Sequence, residues 1–287
     1  MSKNVLDAIL NQYEQNKTSD SPSKSSGGGV DLTKYFSDKL RKGEKTGEKT
    51  CRILPAKDGS PFVEAYWHEM QVGGQWRKLY SRKLNDGERC PLHEAEQALL
   101  LTGREDDRKL ARAYRPRKWY VLKVIDRDAE DEGVKFWRFR HNYKGEGVFD
   151  KLIALFKKFG DITDPREGRD ITLMLSRNDK GYSVINAIIP GDKELLTTEK
   201  TKAETWMNNS ETYKDVYRAQ PVEYLEIVAR QETPVWDKEN KCFTTEEALA
   251  AKQNDELEAE FRTTDASANV PKQADVDVVE DDDELPF

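Results

Sequence analysis

Residues 118–141 read "KWYVLKVIDRDAEDEGVKFWRFRH". Two runs rich in aromatic and β-branched residues flank an acidic stretch, a pattern that predicts two β-strands broken by a polar loop. In the second run Phe136, Arg138 and Arg140 fall on one face of a strand, and Trp137, Phe139 and His141 on the other. One face is expected to pack inward while the other meets a ligand. Similar runs recur on both sides: "TCRILP", "PFVEAYWHEM", "GQWRKLYS", "DITLMLS" and "GYSVINAIIP". Asn85-Asp86-Gly87 and Asp179-Lys180-Gly181 read as turns. Helical periodicity is rarer. "GVFDKLIALFKKFG" places Phe149, Leu152, Ile153, Phe156 and Phe159 on one face, with Gly160 to stop it. "TTEEALAAKQNDELEAEF" opens with a capping box from Thr244 to Glu247. The expected fold class is mainly β with a few helices (α+β).

The chain of 287 residues is 35% charged and 36% hydrophobic. That apolar fraction is low for a fully folded chain of this length, so part of it is expected to be disordered. No apolar run approaches the roughly 18 residues needed to cross a membrane, and no secretory leader is recognisable. Three cysteines, Cys51, Cys90 and Cys242, cannot build a disulfide framework, which points to a reducing interior. The net charge of −7 is unevenly placed. Residues 254–287 hold twelve acids and two bases, leaving +3 on everything before them. Three segments follow: a flexible arm with a Ser/Gly linker over residues 1–30, a folded core over 31–250, and an acidic tail over 251–287 that begins as a helix.

Three windows free of acids carry the functional signal. Residues 108–123 hold seven bases, among them Arg112, Arg115, Arg117 and Lys118, with Trp119 and Tyr120 between. Residues 135–144 interleave Arg138 and Arg140 with Trp137 and other rings. Residues 76–84 bring Trp76, Arg77, Lys78 and Tyr80. Single-stranded nucleic acid asks for this mixture. Cations neutralise phosphates, and aromatic faces stack on unpaired bases for about 1–3 kcal/mol each. Cys90 and His93 stand at C-x-x-H spacing in "RCPLHEAEQALLL", His68 is a candidate third metal ligand, and Ser81 stands where a loop would return. No catalytic constellation is visible: the chain has neither a phosphate-cradling glycine loop nor a nucleophile elbow. Asp126, Asp128, Glu130, Asp131 and Glu132 crowd one loop, leaving a metal-dependent nuclease as one alternative. An RNA-binding translational repressor and an interaction scaffold are the others.

From Asp31 to Ile189 the chain resembles the gene-32-type single-stranded-DNA-binding proteins of large tailed phages. The likeness rests on the order and spacing of "RILPAKDGSPF", the strand with His68, "GGQWRKLYS", "CPLH", "KWYVLKVIDRDAEDEGVKFWRF" and "FDKLIALF". The resemblance implies an OB-fold core with a small zinc-bearing subdomain inserted around residues 66–115, and DNA in a basic cleft between them. It implies DNA contacts from Trp76, Arg115, Arg117, Trp119, Tyr120, Trp137, Arg138 and Tyr182. It places one Zn2+ on His68, Ser81, Cys90 and His93, where Ser81 and His93 depart from the family's cysteines. It implies a non-enzymatic protein that coats unpaired DNA during phage replication, recombination and repair in the host cytoplasm. Self-association along DNA belongs to the same picture. The acidic tip, Asp281, Asp282, Asp283, Glu284, Leu285, Pro286 and Phe287, would dock replication partners such as polymerase, helicase or its loader, primase and recombinase. Its acids would meet a basic patch, and Phe287 would fill an apolar pocket.

Overall fold

The computed structural model describes residues 32–56, 59–252 and 254. The expected N-terminal arm and the docking tip Asp281–Phe287 lie outside them. The described residues divide into two compact units, with the boundary between Pro234 and Val235.

The first unit is mixed α+β around a seven-stranded, wholly antiparallel sheet: β1 (Thr46–Ile53), β2 (Val63–Val72), β3 (Gln75–Tyr80), β4 (Pro116–Asp126), β5 (Val134–Arg140), β6 (Arg169–Arg177) and β7 (Ser183–Lys193). The stretch quoted at the outset is the β4–β5 hairpin, and β4 organises the sheet. One of its edges carries β5 from Trp119 to Ile125. Its other edge is shared, pairing with β2 from Pro116 to Val121 and with β1 from Val124 to Asp126.

The expectation that one face of residues 134–141 stays open is corrected by packing on both faces. On one side Tyr120, Leu122, Val124, Trp137 and Phe139 join Phe36, Cys51, Ile53, Leu152 and the inner residues of β6. On the other, Trp119, Val121 and Phe136 join Ala65, Trp67, Tyr80, Val216 and Tyr217. The covering residues Val216 and Tyr217 come from a region with no clear periodicity. It folds as α5 (Lys200–Met207), α6 (Tyr213–Val216) and α7 (Val222–Ala229).

The amphipathic stretch forms α4 (Val148–Phe159), which starts at Gly147 and stops at Gly160 in the left-handed region (φ 77°). Leu152 is fully buried, and Phe149, Leu155, Phe156 and Phe159 pack on the first core. Leu155 rather than Ile153 completes that face. Phe149 stacks on Tyr120 with centroids 4.2 Å apart and planes 9° apart, a pair contributing about 0.5–1.5 kcal/mol beyond its burial.

Between β3 and β4 lie α1 (Arg82–Asp86), α2 (Pro91–Leu101) and α3 (Glu105–Tyr114). The expected turn at Gly87 is the left-handed cap of α1 (φ 74°). This segment has its own core of Met70, Val72, Leu79, Cys90, Leu92 and Tyr114, completed by Leu225 and Val228 of α7. In the second unit β8 (Pro234–Asp237) pairs with β9 (Cys242–Thr245), and a helix follows over residues 246–252. Its cap is Thr245, whose hydroxyl accepts from the Ala248 amide at 3.2 Å, one position after the expected Thr244.

Candidate nucleic-acid interface

Strand register alone collects a basic cluster. Glu69 faces Lys78 across β2–β3, Ala65 faces Trp119 across β2–β4, and Trp119 faces Arg140 across β4–β5. Because side chains alternate, Trp76, Lys78, Glu69, Arg117, Trp119, Arg138 and Arg140 share one side of the sheet. Part of that side is sealed by the second core. The rest opens as a groove of about 640 Å³ walled by the cations Lys39, Lys78, Arg138, Arg140 and Lys144, by the acids Asp38 and Glu146, and by Trp119, Tyr143 and Ser183. A second hollow of about 590 Å³ is walled by Glu69, Trp76, Arg112, Arg117 and Arg140. Arg140 lines both, so the two adjoin there. Glu69 holds the Arg140 guanidinium at 3.2 Å.

Arg138 is the deepest cation. It is 8% exposed, and its guanidinium carbon lies 4.4 Å from the Tyr217 ring centroid, 4.7 Å from that of Trp67 and 5.2 Å from that of Trp119. Among the described residues it has no carboxylate or carbonyl partner, and its Nε is sealed without an acceptor. Burial lowers its pKa, against the pull of Tyr217, Tyr35, Asp38 and Glu69. The Lys78 ammonium sits 4.3 Å from the centroid of the same Trp119 ring. Burial of its stem, then repulsion from Arg138 and Lys39, lower its pKa, with Glu69 and Asp38 opposing. Lys78 remains exposed on its outer side, so water screens part of that effect. Lys39, Lys78 and Lys144 have no carboxylate within ion-pair distance among the described residues.

The expected interface residues divide by burial. Trp76, Arg77, Lys78, Arg112, Arg115, Arg140 and Tyr182 are exposed, and Arg117 and Lys118 half-exposed. Lys118 is tied to Glu64, and Arg115 lies 3.7 Å from Glu96. Tyr80, Trp119, Tyr120 and Trp137 are buried. Tyr80 donates its hydroxyl to Asp86 at 3.1 Å and Trp137 its indole N–H to Asp38 at 3.0 Å. These four rings are core, and none presents a face to a base. The displayed rings are Trp76 (72% exposed), Tyr143 (69%) and Tyr182 (67%). Tyr143 is one of the rings of the 135–144 window but is not among the residues expected to contact DNA. The signal that finds all three is a turn glycine within three positions: Gly73 and Gly74, Gly145, and Gly181, each with positive φ.

The expected metal ligands converge in part. His68 is fully buried and its Nδ1 lies 2.5 Å from the Tyr114 carbonyl. A carbonyl only accepts, so Nδ1 carries the proton and the Nε2 lone pair faces Cys90 Sγ at 3.5 Å. Burial pushes the imidazole down to about 4, opposed by the Tyr114 carbonyl and aided by His93. Ser81 Oγ and His93 Nδ1 are sealed without hydrogen-bond partners. Among the described residues no three His, Cys, Asp or Glu side chains converge as a metal site.

Four of the five acids of the 126–132 loop make ion pairs, and Asp128 makes none among the described residues. Asp126 and Glu132 hold Lys135, Glu130 holds Arg127, and Asp131 holds Lys202. The chain matches no model of a known protein family, and no curated protein matches it. No helix among the described residues is long and apolar enough to cross a membrane.

Proposed function

We propose that this chain is a single-stranded-DNA-binding protein of the gene-32 type. It coats and protects unpaired phage DNA during replication, recombination and repair. The observation that carries this reading is the groove, where Lys39, Lys78, Arg138 and Lys144, without ion-pair partners among the described residues, stand beside the displayed ring of Tyr143, with Trp76 displayed in the adjoining hollow. Phosphates would enter among Lys39, Lys78, Arg138 and Lys144. Bases would stack on Trp76, Tyr143 and Tyr182. Duplex DNA keeps its base faces covered, so the displayed rings favour the unpaired state. By mass action a ligand for single strands then shifts duplex melting.

The same reading includes an OB-fold core built on β1 and β4–β7 with α4. The segment from β2 to α3, with its separate core, is the inserted subdomain. One Zn2+ would be held there by His68 Nε2 and Cys90 Sγ, with His93 and Ser81 as the remaining groups. What supports it is that Ser81 Oγ and His93 Nδ1 are sealed without a hydrogen bond, although His93 Nδ1 has the Glu96 carboxylate at 3.8 Å. Metal analysis of the purified chain after dialysis against a chelator tests this: one zinc per chain supports it, and none removes zinc from the reading. The acidic tail would recruit replication proteins and compete with DNA. Deleting it from Asp275 is expected to strengthen DNA binding at low salt.

The primary test is a tryptophan-fluorescence titration with oligo-dT, oligo-U and duplex DNA at low and moderate salt. Quenching by oligo-dT, weakened by salt and absent with duplex, is the expected result. A strong preference for oligo-U would make the protein an RNA binder instead.

A further inference from the structure

We propose that Lys78 and Arg138 form a seat for one backbone phosphate, with Trp119 serving as the platform that holds both cations rather than as a base-stacking ring. This deepens the single-strand reading and rests on it. The Trp119 ring is 6% exposed, so no base can cover it. It instead carries the Lys78 ammonium at 4.3 Å and the Arg138 guanidinium at 5.2 Å. Two like charges held against one ring repel each other. A buried guanidinium loses several kcal/mol of hydration, and cation–π contacts of about 0.5–2 kcal/mol each return only part of it. Neither cation has a carboxylate within ion-pair distance among the described residues.

Elsewhere in the sheet a buried arginine is treated differently. Arg52 is given Asp170 and two backbone carbonyls. The missing anion at Arg138 is therefore supplied from outside, on the side where the residue lines the groove. A phosphodiester fits: it has one negative charge, two free oxygens for two donors, and a chain that continues along Arg140 and Lys144. Tyr143, exposed in the same groove, gives the neighbouring base a surface. An acidic peptide offers the charge without a use for that ring.

The seat is tested with the full chain, by anisotropy, using labelled oligo-dT and an abasic strand with the same number of phosphates. Lys78→Met keeps the stem and removes the charge. It is expected to weaken both strands by the same factor, about tenfold, and to lower the salt slope by about 0.7. Lys78→Arg is expected to restore both. Trp76→Ala is the control, weakening oligo-dT alone. Lys78 is exposed, so its variants stay folded even if changes at Arg138 do not. Loss confined to oligo-dT in Lys78→Met would make Trp119 a stacking ring and overturn the seat. Unchanged DNA binding with lost binding of a polyglutamate peptide would assign the seat to carboxylates and overturn it too. Failure of the wild-type chain to bind oligo-dT would instead overturn the single-strand reading on which the seat rests.

Discussion

Arg52 and Arg138 are both buried arginines in one sheet, and their surroundings are opposites. Arg52, on β1, donates to Asp170 at 3.1 Å and to the carbonyls of Asp164 at 3.1 Å and Glu194 at 2.8 Å. Arg127 binds the same Asp170 through two bonds, at 2.7 and 2.9 Å, and so ties β4 to β6. Burial raises the Asp170 pKa, but Arg127, a hydrogen bond from Glu194 and the charge of Arg52 together outweigh it, so the carboxylate stays below its usual range. Arg138, on β5, is framed by three rings and, among the described residues, has no carboxylate within ion-pair distance, Asp38 and Glu69 acting on it from farther away. Both leave Nε without a partner, so that atom does not distinguish them. The difference lies in whether the protein provides the counter-charge. Where it does, the cation is an internal fastener. Where it does not and a groove reaches the cation, the cation is prepared for a visitor.

The largest test of this contrast is Arg52→Leu. It strands Asp170 beside one arginine and leaves the Glu194 carbonyl unmet, while that of Asp164 keeps the Gly168 amide at 2.8 Å, and is expected to cost about 3–5 kcal/mol in chemical denaturation. Less than about 1 kcal/mol would mean that Arg127 alone satisfies the site. Gly168→Ala probes the same cradle from its wall. A Cβ there would lie 2.4 Å from the Asp164 carbonyl oxygen, 2.6 Å from that of Ile162 and 2.8 Å from Arg52 Nη2. The expected loss is about 1–3 kcal/mol, read as a lower denaturation midpoint with DNA affinity of the folded protein retained.

On the groove side the signs reverse. Trp76→Ala should leave stability within about 0.5 kcal/mol while oligo-dT binding weakens by about 1–3 kcal/mol. A melted fold would show that the ring packs. The direct counterpart of Arg52→Leu is Arg138→Met. It exchanges a cation without a partner for an apolar chain and is expected to change stability by less than about 1 kcal/mol. Its DNA affinity should still fall roughly tenfold. A loss of several kcal/mol would erase the contrast by making Arg138 a fastener too.

Much of this was legible before any coordinates. Alternation and breaker residues place the strands, and the Phe149–Phe159 spacing with its glycine stop places α4. Strand alternation also put Arg138 and Arg140 on one side. What the sequence hides is the cover. "SETYKDVYRAQ" looks like polar loop, yet Val216 and Tyr217 from it close one face of the sheet. Trp119 and Trp76 are alike as letters, and only that closure buries one and leaves the other out. The pairing of His68 with Cys90 could be anticipated from residue type, since β2 and the C-x-x-H turn that opens α2 share one core. The count of converging ligands could not, since it depends on where His93 points along the first turn of α2.

The two arginine sites also differ in when they can exist during folding. The β4–β5 hairpin, which carries Trp119 and Arg138, closes across the short loop after Asp126. The Arg52 cradle needs β1, residues 46–53, to find β6, residues 169–177, far along the chain. Local pairings form early and distant ones late. A newly made chain is thus expected to align the two strands that wall the groove before it fastens its core, so that the final closing step belongs to Arg52 and Asp170.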